Sequence, residues 1–140
     1  MDKYYTPEIE EFCVGFEFEK HDEKKATYKE NNFKPTNWHR KKHDLTSIRL
    51  SQLPTHLHNK TIRVKYLDKY DIESLGFIHS NEKVFELRGS DISLWWNFTL
   101  LIKSSVTIRK LIGTSYINVS ISPVKNLSEL KVLLKKLKLI

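Results

Sequence analysis

Residues 61–77, TIRVKYLDKYDIESLGF, constrain the fold more than any other stretch, because a strand, a helix start, a helix stop and a second strand follow one another there. Residues 61–67 are rich in β-branched and aromatic side chains, which fit a pleated, partly buried surface. Asp68 ends that strand. Its carboxylate can accept from the first free backbone N–H groups of a short helix over residues 69–75, and its charge suits the positive helix end. Gly76 stops the helix, since a residue without Cβ takes the left-handed conformation at little cost, and Phe77 is then expected to pack back on Ile72.

The flanking sequence extends this into an α+β chain. Residues 12–19 alternate, with Phe12, Val14, Phe16 and Phe18 on one side and Cys13, Gly15, Glu17 and Glu19 on the other, as in a half-buried strand. Residues 21–34 form a polar segment with too little apolar surface to order strongly, and are expected to be a loop. Ile48 and Leu50 predict a short strand, and residues 54–60 the turn leading into strand 61–67. Beyond Gly76 the pattern is all-β. Residues 77–79 and 84–88 make a hairpin; residues 94–103, LWWNFTLLIK, are the most apolar strand and the expected sheet centre, with Trp96, Phe98, Leu100 and Ile102 on one face. Residues 106–112 follow, then 116–122, where Ile117, Val119 and Ile121 are expected inward and Asn118, Ser120 and Ser122 outward. Asn126 starts a final helix as its N-cap, with Glu129 placed to complete a capping box. Leu127, Leu130, Leu134 and Leu137 form its apolar stripe, and Ser128, Lys131, Lys135 and Lys138 share the opposite face. The predicted architecture is a single α+β domain over residues 1–140, mainly antiparallel sheet, with a short capped helix at 68–75 and a C-terminal helix at 127–138 packed on it.

A chain of 140 residues buries roughly two-thirds of its unfolded surface without cross-links. Cys13 is the only cysteine, so no intramolecular disulfide forms, a reducing cytoplasm is expected, and Cys13 reads as a small buried hydrophobe of its strand. No apolar run approaches the roughly 18 residues of a membrane span, and the first residues carry neither the basic start nor the apolar core of a signal peptide. The expectation is a soluble, cytoplasmic chain. The net charge of +7 is unevenly spread: residues 1–23 hold eight acids against two lysines, a balance of −6, so the remainder carries +13. An excess of that size favours phosphates or an acidic protein surface.

Catalytic signatures are missing. There is no glycine-rich phosphate loop, CxxC, HExxH or GxSxG, and the chain has four glycines. Glu17 and Glu19 share a strand face, which suits a wet surface better than acid–base chemistry, because no neighbour that would split their pKa values is identifiable. His39 and His43 would face one way on a helix, and His56 and His58 one way on a strand, but no third ligand stands at a recognised spacing. No catalytic residue, metal or cofactor is therefore assigned. Binding is the richer reading. Trp38 stands among His39, Arg40, Lys41 and Lys42, and an indole amid cations offers a stacking plate for bases and charges for phosphates, as single-stranded nucleic acid requires. Trp38 can equally anchor a loop on the core. Trp95, opposite Trp96 on its strand, is either covered by another segment or an interface anchor. Lys131, Lys135 and Lys138 either meet phosphates or complement the helix dipole.

The opening Tyr4-Tyr5-Thr6-Pro7-Glu8-Ile9-Glu10-Glu11-Phe12, with residues 14–19 behind it, resembles the start of a family of small uncharacterised phage and prophage proteins. The resemblance continues in residues 63–68, 71–77 and 126–131. These blocks are structural, so they imply the fold and bring no catalytic residues. The basic run at 39–43 and the Trp95-Trp96 pair depart from the family pattern and point to a recruited binding role. A basic, non-enzymatic phage protein of this size is similar to anti-CRISPR inhibitors of type VI, RNA-cutting effectors. That resemblance implies the effector nuclease, its guide RNA, or both as partners, with no membrane and no small-molecule substrate. A free-standing RNA- or DNA-binding phage accessory protein is the alternative.

Overall fold

The computed structural model describes residues 3–21, 38–44, 52–97 and 104–140. The fold is α+β, built from antiparallel sheets and three short helices. It divides into two compact units, Met1–Tyr66 and Leu67–Ile140, each with its own apolar cluster.

The first unit holds β1 (Tyr4–Tyr5), β2 (Glu17–His21), β3 (Trp38–Lys42), α1 (Leu53–His58) and β4 (Ile62–Lys65), and its sheet runs in the order β1-β4-β2-β3. Alternation in β4 sends Ile62 and Val64 into a core with Phe16, Phe18 and Leu53, all at 3% exposure or less, and leaves Arg63 and Lys65 on the open face. The expected strand over 12–19 forms only from Glu17. Gly15 adopts φ +92°, and the Phe16 N–H donates to the Cys13 carbonyl at 2.9 Å, so the chain turns before it enters the sheet. Val14 and Cys13 are consequently exposed, and Cys13 is not the buried hydrophobe expected. Residues 54–58 are not a turn but most of α1, and only Asn59 and Lys60 turn the chain into β4. Pro54 occupies its first turn, where a missing N–H costs no helical hydrogen bond. Within the polar segment 21–34, His21 ends β2 and is buried; its other residues, and the strand expected at Ile48 and Leu50, lie outside the described residues.

The second unit is a meander of β5 (Phe77–Asn81), β6 (Val84–Leu87), β7 (Ile92–Asn97), β8 (Ser105–Ile112) and β9 (Ser115–Pro123), flanked by α2 (Lys69–Glu73) and α3 (Leu127–Lys136). Asp68 caps α2 as expected, and reciprocally: its Oδ1 accepts the Asp71 N–H at 3.0 Å while Asp71 accepts the Asp68 N–H at 3.1 Å. Gly76 takes φ +91°, and Ile72 and Phe77 meet in the core. At the other end Asn126 accepts the Glu129 N–H at 3.0 Å, and the Glu129 carboxylate reaches back to the Lys125 N–H at 2.6 Å. Leu130 and Leu134 are fully buried against Leu94, Val106 and Ile108. Ser128 is also buried, so the apolar side of α3 is wider than its leucine stripe. The most apolar strand, β7, is central; Phe98, Leu100 and Ile102 lie outside the described residues.

Of the isoleucines expected inward in the last strand, Ile121 is overturned by register, whereas Ile117 pairs with Lys110 on the Ile108 face and is overturned only by its exposure. Ile108 pairs with Ser120 but Arg109 with Asn118, so Val119 is an extra residue that bulges and reverses the alternation. Ser120 and Ser122 share the face of Ile108 and Val106, while Ile121 shares the opposite face with Thr107. Ile117, Val119 and Ile121 are 48%, 45% and 67% exposed.

Candidate nucleic-acid interface

In an antiparallel sheet, residues directly opposite one another share a face. The register of the first unit therefore assembles its open face row by row: Tyr4 beside Lys65, Arg63 beside Glu19 beside Arg40, Glu17 beside Lys42, and His21 beside Trp38. Arg63 is its centre. The guanidinium carbon lies 3.8 Å from the Tyr4 ring centroid and 4.2 Å from that of Trp38, and its Nε donates to Glu19 at 2.6 Å. The edge of His21 meets Trp38 at 5.2 Å. A guanidinium held by a carboxylate and faced by two rings has little freedom left.

Next to this stack lies an open groove of about 350 Å³, lined by Tyr4, Trp38, Arg63, Tyr66 and Lys60 among others. Tyr5 and Tyr66, which also line it, pack their rings at 4.6 Å, and the Tyr5 hydroxyl donates to Glu11 at 2.7 Å. Flat aromatic surface next to a lysine and an arginine can take a planar, negatively charged ligand: a ring system against the rings, and an anion on the cations.

The expected basic run is split by its own secondary structure. It forms the strand β3, so Trp38, Arg40 and Lys42 lie on the open face and His39 and Lys41 on the other. Trp38 is half-buried and is not sealed in the core. Arg40 is 72% exposed and bonds Glu17 at 2.9 Å, so part of the positive charge is answered by the acidic strand alongside. On a strand, His39 and His43 stand roughly 13 Å apart, and His56 and His58 in α1 do not share a helix face. Neither pair makes the metal site that its spacing allowed. Among the described residues no group of three or more His, Cys, Asp or Glu side chains could hold a metal ion.

The other sequence-predicted residues belong to the second unit. Trp95 lies under the Arg109 guanidinium, 3.9 Å from its ring centroid, on the sheet face shared with Thr107. Leu94, its neighbour on the opposite face, packs with Leu130 and Leu134 of α3. Trp95 and the lysines of α3 are thus on opposite sides of this unit. Lys131 is half-buried and Lys135 exposed; Lys138 lies beyond the end of α3 with φ 56°. Sequence reasoning missed Tyr4, Arg63, Lys60 and Tyr66. Arg63 was within reach, because alternation along residues 61–67 puts it on the face opposite the apolar Ile62 and Val64.

The chain matches no protein-family model, no curated protein and no solved structure.

Proposed function

We propose that this chain is a non-enzymatic inhibitor that binds single-stranded RNA through the open face of its first sheet, and that its target is the guide RNA of an RNA-cutting CRISPR effector. The observation that carries the RNA reading is Arg63 held between Tyr4 and Trp38 at the rim of the groove. Unpaired bases stack on aromatic side chains whatever their sequence, and neighbouring cations hold the backbone. Here Tyr4 and Trp38 take the bases, while Lys60, Lys42 and Arg40 meet the phosphates. An arrangement of this kind suits splayed bases and not a duplex, whose bases are stacked on each other. The step to an anti-CRISPR role is supported by the resemblance of residues 4–12, 14–19, 63–68 and 71–77 to phage proteins. Occupying the guide would deny the effector its target strand without any bond being broken.

Two arms test this. Added before target RNA to a guide-loaded type VI effector, the protein is expected to abolish cleavage; unchanged cleavage with every effector tried removes the inhibitory role. A gel shift with single-stranded RNA alone, expected to weaken as salt rises, tests the groove by itself. A shift without inhibition would favour a free-standing RNA-binding accessory protein.

A further inference from the structure

We propose that the second unit holds a guanine-nucleotide pocket on the face of its sheet turned away from Leu94 and α3. A cavity of about 470 Å³ opens there, walled by Ile78, Leu111, Tyr116 and the β6–β7 turn, with Glu86 and Ser93 in its lining. That is the size of pockets that take small-molecule ligands. Register accounts for the grouping. Ile78 pairs with Glu86, Glu86 with Ser93, Ser93 with Arg109 and Arg109 with Asn118, so one row of side chains crosses all five strands on this face. Leu111 and Tyr116 pair two residues further along it. Ser93 carries the inference. It is 3% exposed, and among the described residues its hydroxyl has no hydrogen-bond partner; nor has the Nε of Arg109 directly opposite. Buried polar groups left unpaired cost stability, so two side by side, one of them lining a cavity, mark a place where a ligand supplies the partners.

The order of groups along the row selects the ligand. Glu86 offers a carboxylate, which only accepts, whereas Ser93 and Arg109 offer an O–H and an N–H that donate. An isolated anion would meet Glu86 and Asp91 in the lining, and an isolated ammonium would leave the Arg109 N–H unanswered. The edge that fits carries donors beside an acceptor. Among the nucleobases guanine alone sets two N–H groups next to a carbonyl. The pair matches the two oxygens of Glu86, and the carbonyl accepts from Ser93 and Arg109. Tyr116 and Ile78, 51% and 48% exposed, supply apolar surface against the ring. Arg88, on the turn, takes the phosphate. None of these residues belongs to the groove of the first unit, so the pocket stands or falls apart from the RNA reading.

Isothermal titration calorimetry of the full chain with guanosine 5′-monophosphate, in the absence of RNA, tests the proposal. Saturable binding is expected, about 5- to 150-fold tighter than that of adenosine 5′-monophosphate, the discrimination that one bidentate pair provides. Glu86→Gln, at an exposed position, should remove this preference without changing the thermal melt; Glu82→Gln, an exposed carboxylate of the β5–β6 turn, should keep it. Ser93→Ala should weaken binding severalfold and leave the melt unchanged or raised, since it deletes a hydroxyl without a partner in the fold. Displacement of the bound nucleotide by the RNA strand AAGAA and not by AAAAA assigns the base to a strand, and retention assigns a free nucleotide; both keep the pocket. Absence of binding, equal affinity for the two nucleotides, or binding that Glu86→Gln leaves intact overturns it. So does Ser93→Ala with a lowered melt and unchanged affinity.

Discussion

Each unit places an arginine on a tryptophan on its sheet, and the two pairs are built differently. In the first, Arg63 touches two rings and bonds Glu19, and an open groove runs alongside. In the second, Arg109 covers one ring, and among the described residues no carboxylate holds it and its Nε and the Ser93 hydroxyl are buried without a hydrogen-bond partner. Thr107 and Ser93, on the same face, are 8% and 3% exposed. Trp95, Arg109, Ser93 and Thr107 share this sheet face, and buried polar groups left unpaired there lower stability. Arg63 is instead tied to a carboxylate and faces two rings, the arrangement on which the proposed RNA site rests. On the proposed reading, what separates a binding platform from a packing contact is the carboxylate and the second ring, not the arginine–tryptophan pair itself.

The sharpest way to break this contrast is to remove each indole in turn. Trp38→Ala should lower the affinity for single-stranded RNA by about 1–3 kcal/mol, roughly 5- to 150-fold, since one stacking plate is lost. Trp95→Ala should leave RNA affinity within twofold and cost about 1–3 kcal/mol of stability, because it removes an indole from the sheet face shared with Ser93 and Thr107. Fluorescence anisotropy with labelled RNA and denaturant titration measure the two effects. Reversed outcomes would make the second unit the platform. A smaller effect sharpens the role of the acidic strand: Glu17→Gln frees the exposed Arg40 and should tighten RNA binding severalfold, with a steeper salt dependence. Its stability cost should stay below about 1 kcal/mol, because exposed ion pairs contribute little. Unchanged or weaker affinity would mean that Arg40 does not meet the phosphates.

Local signals were legible where they governed local geometry. Asp68, Gly76 and Asn126 each do what their chemistry predicts, and the α3 leucines bury as their spacing requires. Two misreadings have one cause: period-two alternation does not reveal where the chain leaves regular pairing. Gly15 turns the chain inside an alternating run, and the bulge at Val119 inverts the sides of the strand after it. The site was half legible. Composition marks Trp38 and its cations, but strand geometry sends His39 and Lys41 to the other face, and long-range register brings Tyr4, Glu19 and Arg63 to Trp38 from three other strands. No spacing within residues 38–42 encodes that meeting.

Photocrosslinking of a single-stranded RNA to the full chain, with the adducts mapped by peptide mass spectrometry, tests the central claim most directly. Adducts on Tyr4 and Trp38, lost when Arg63 is replaced by alanine, are the predicted result. Adducts confined to Trp95 or to the α3 lysines, with Tyr4 and Trp38 unmodified, would contradict it.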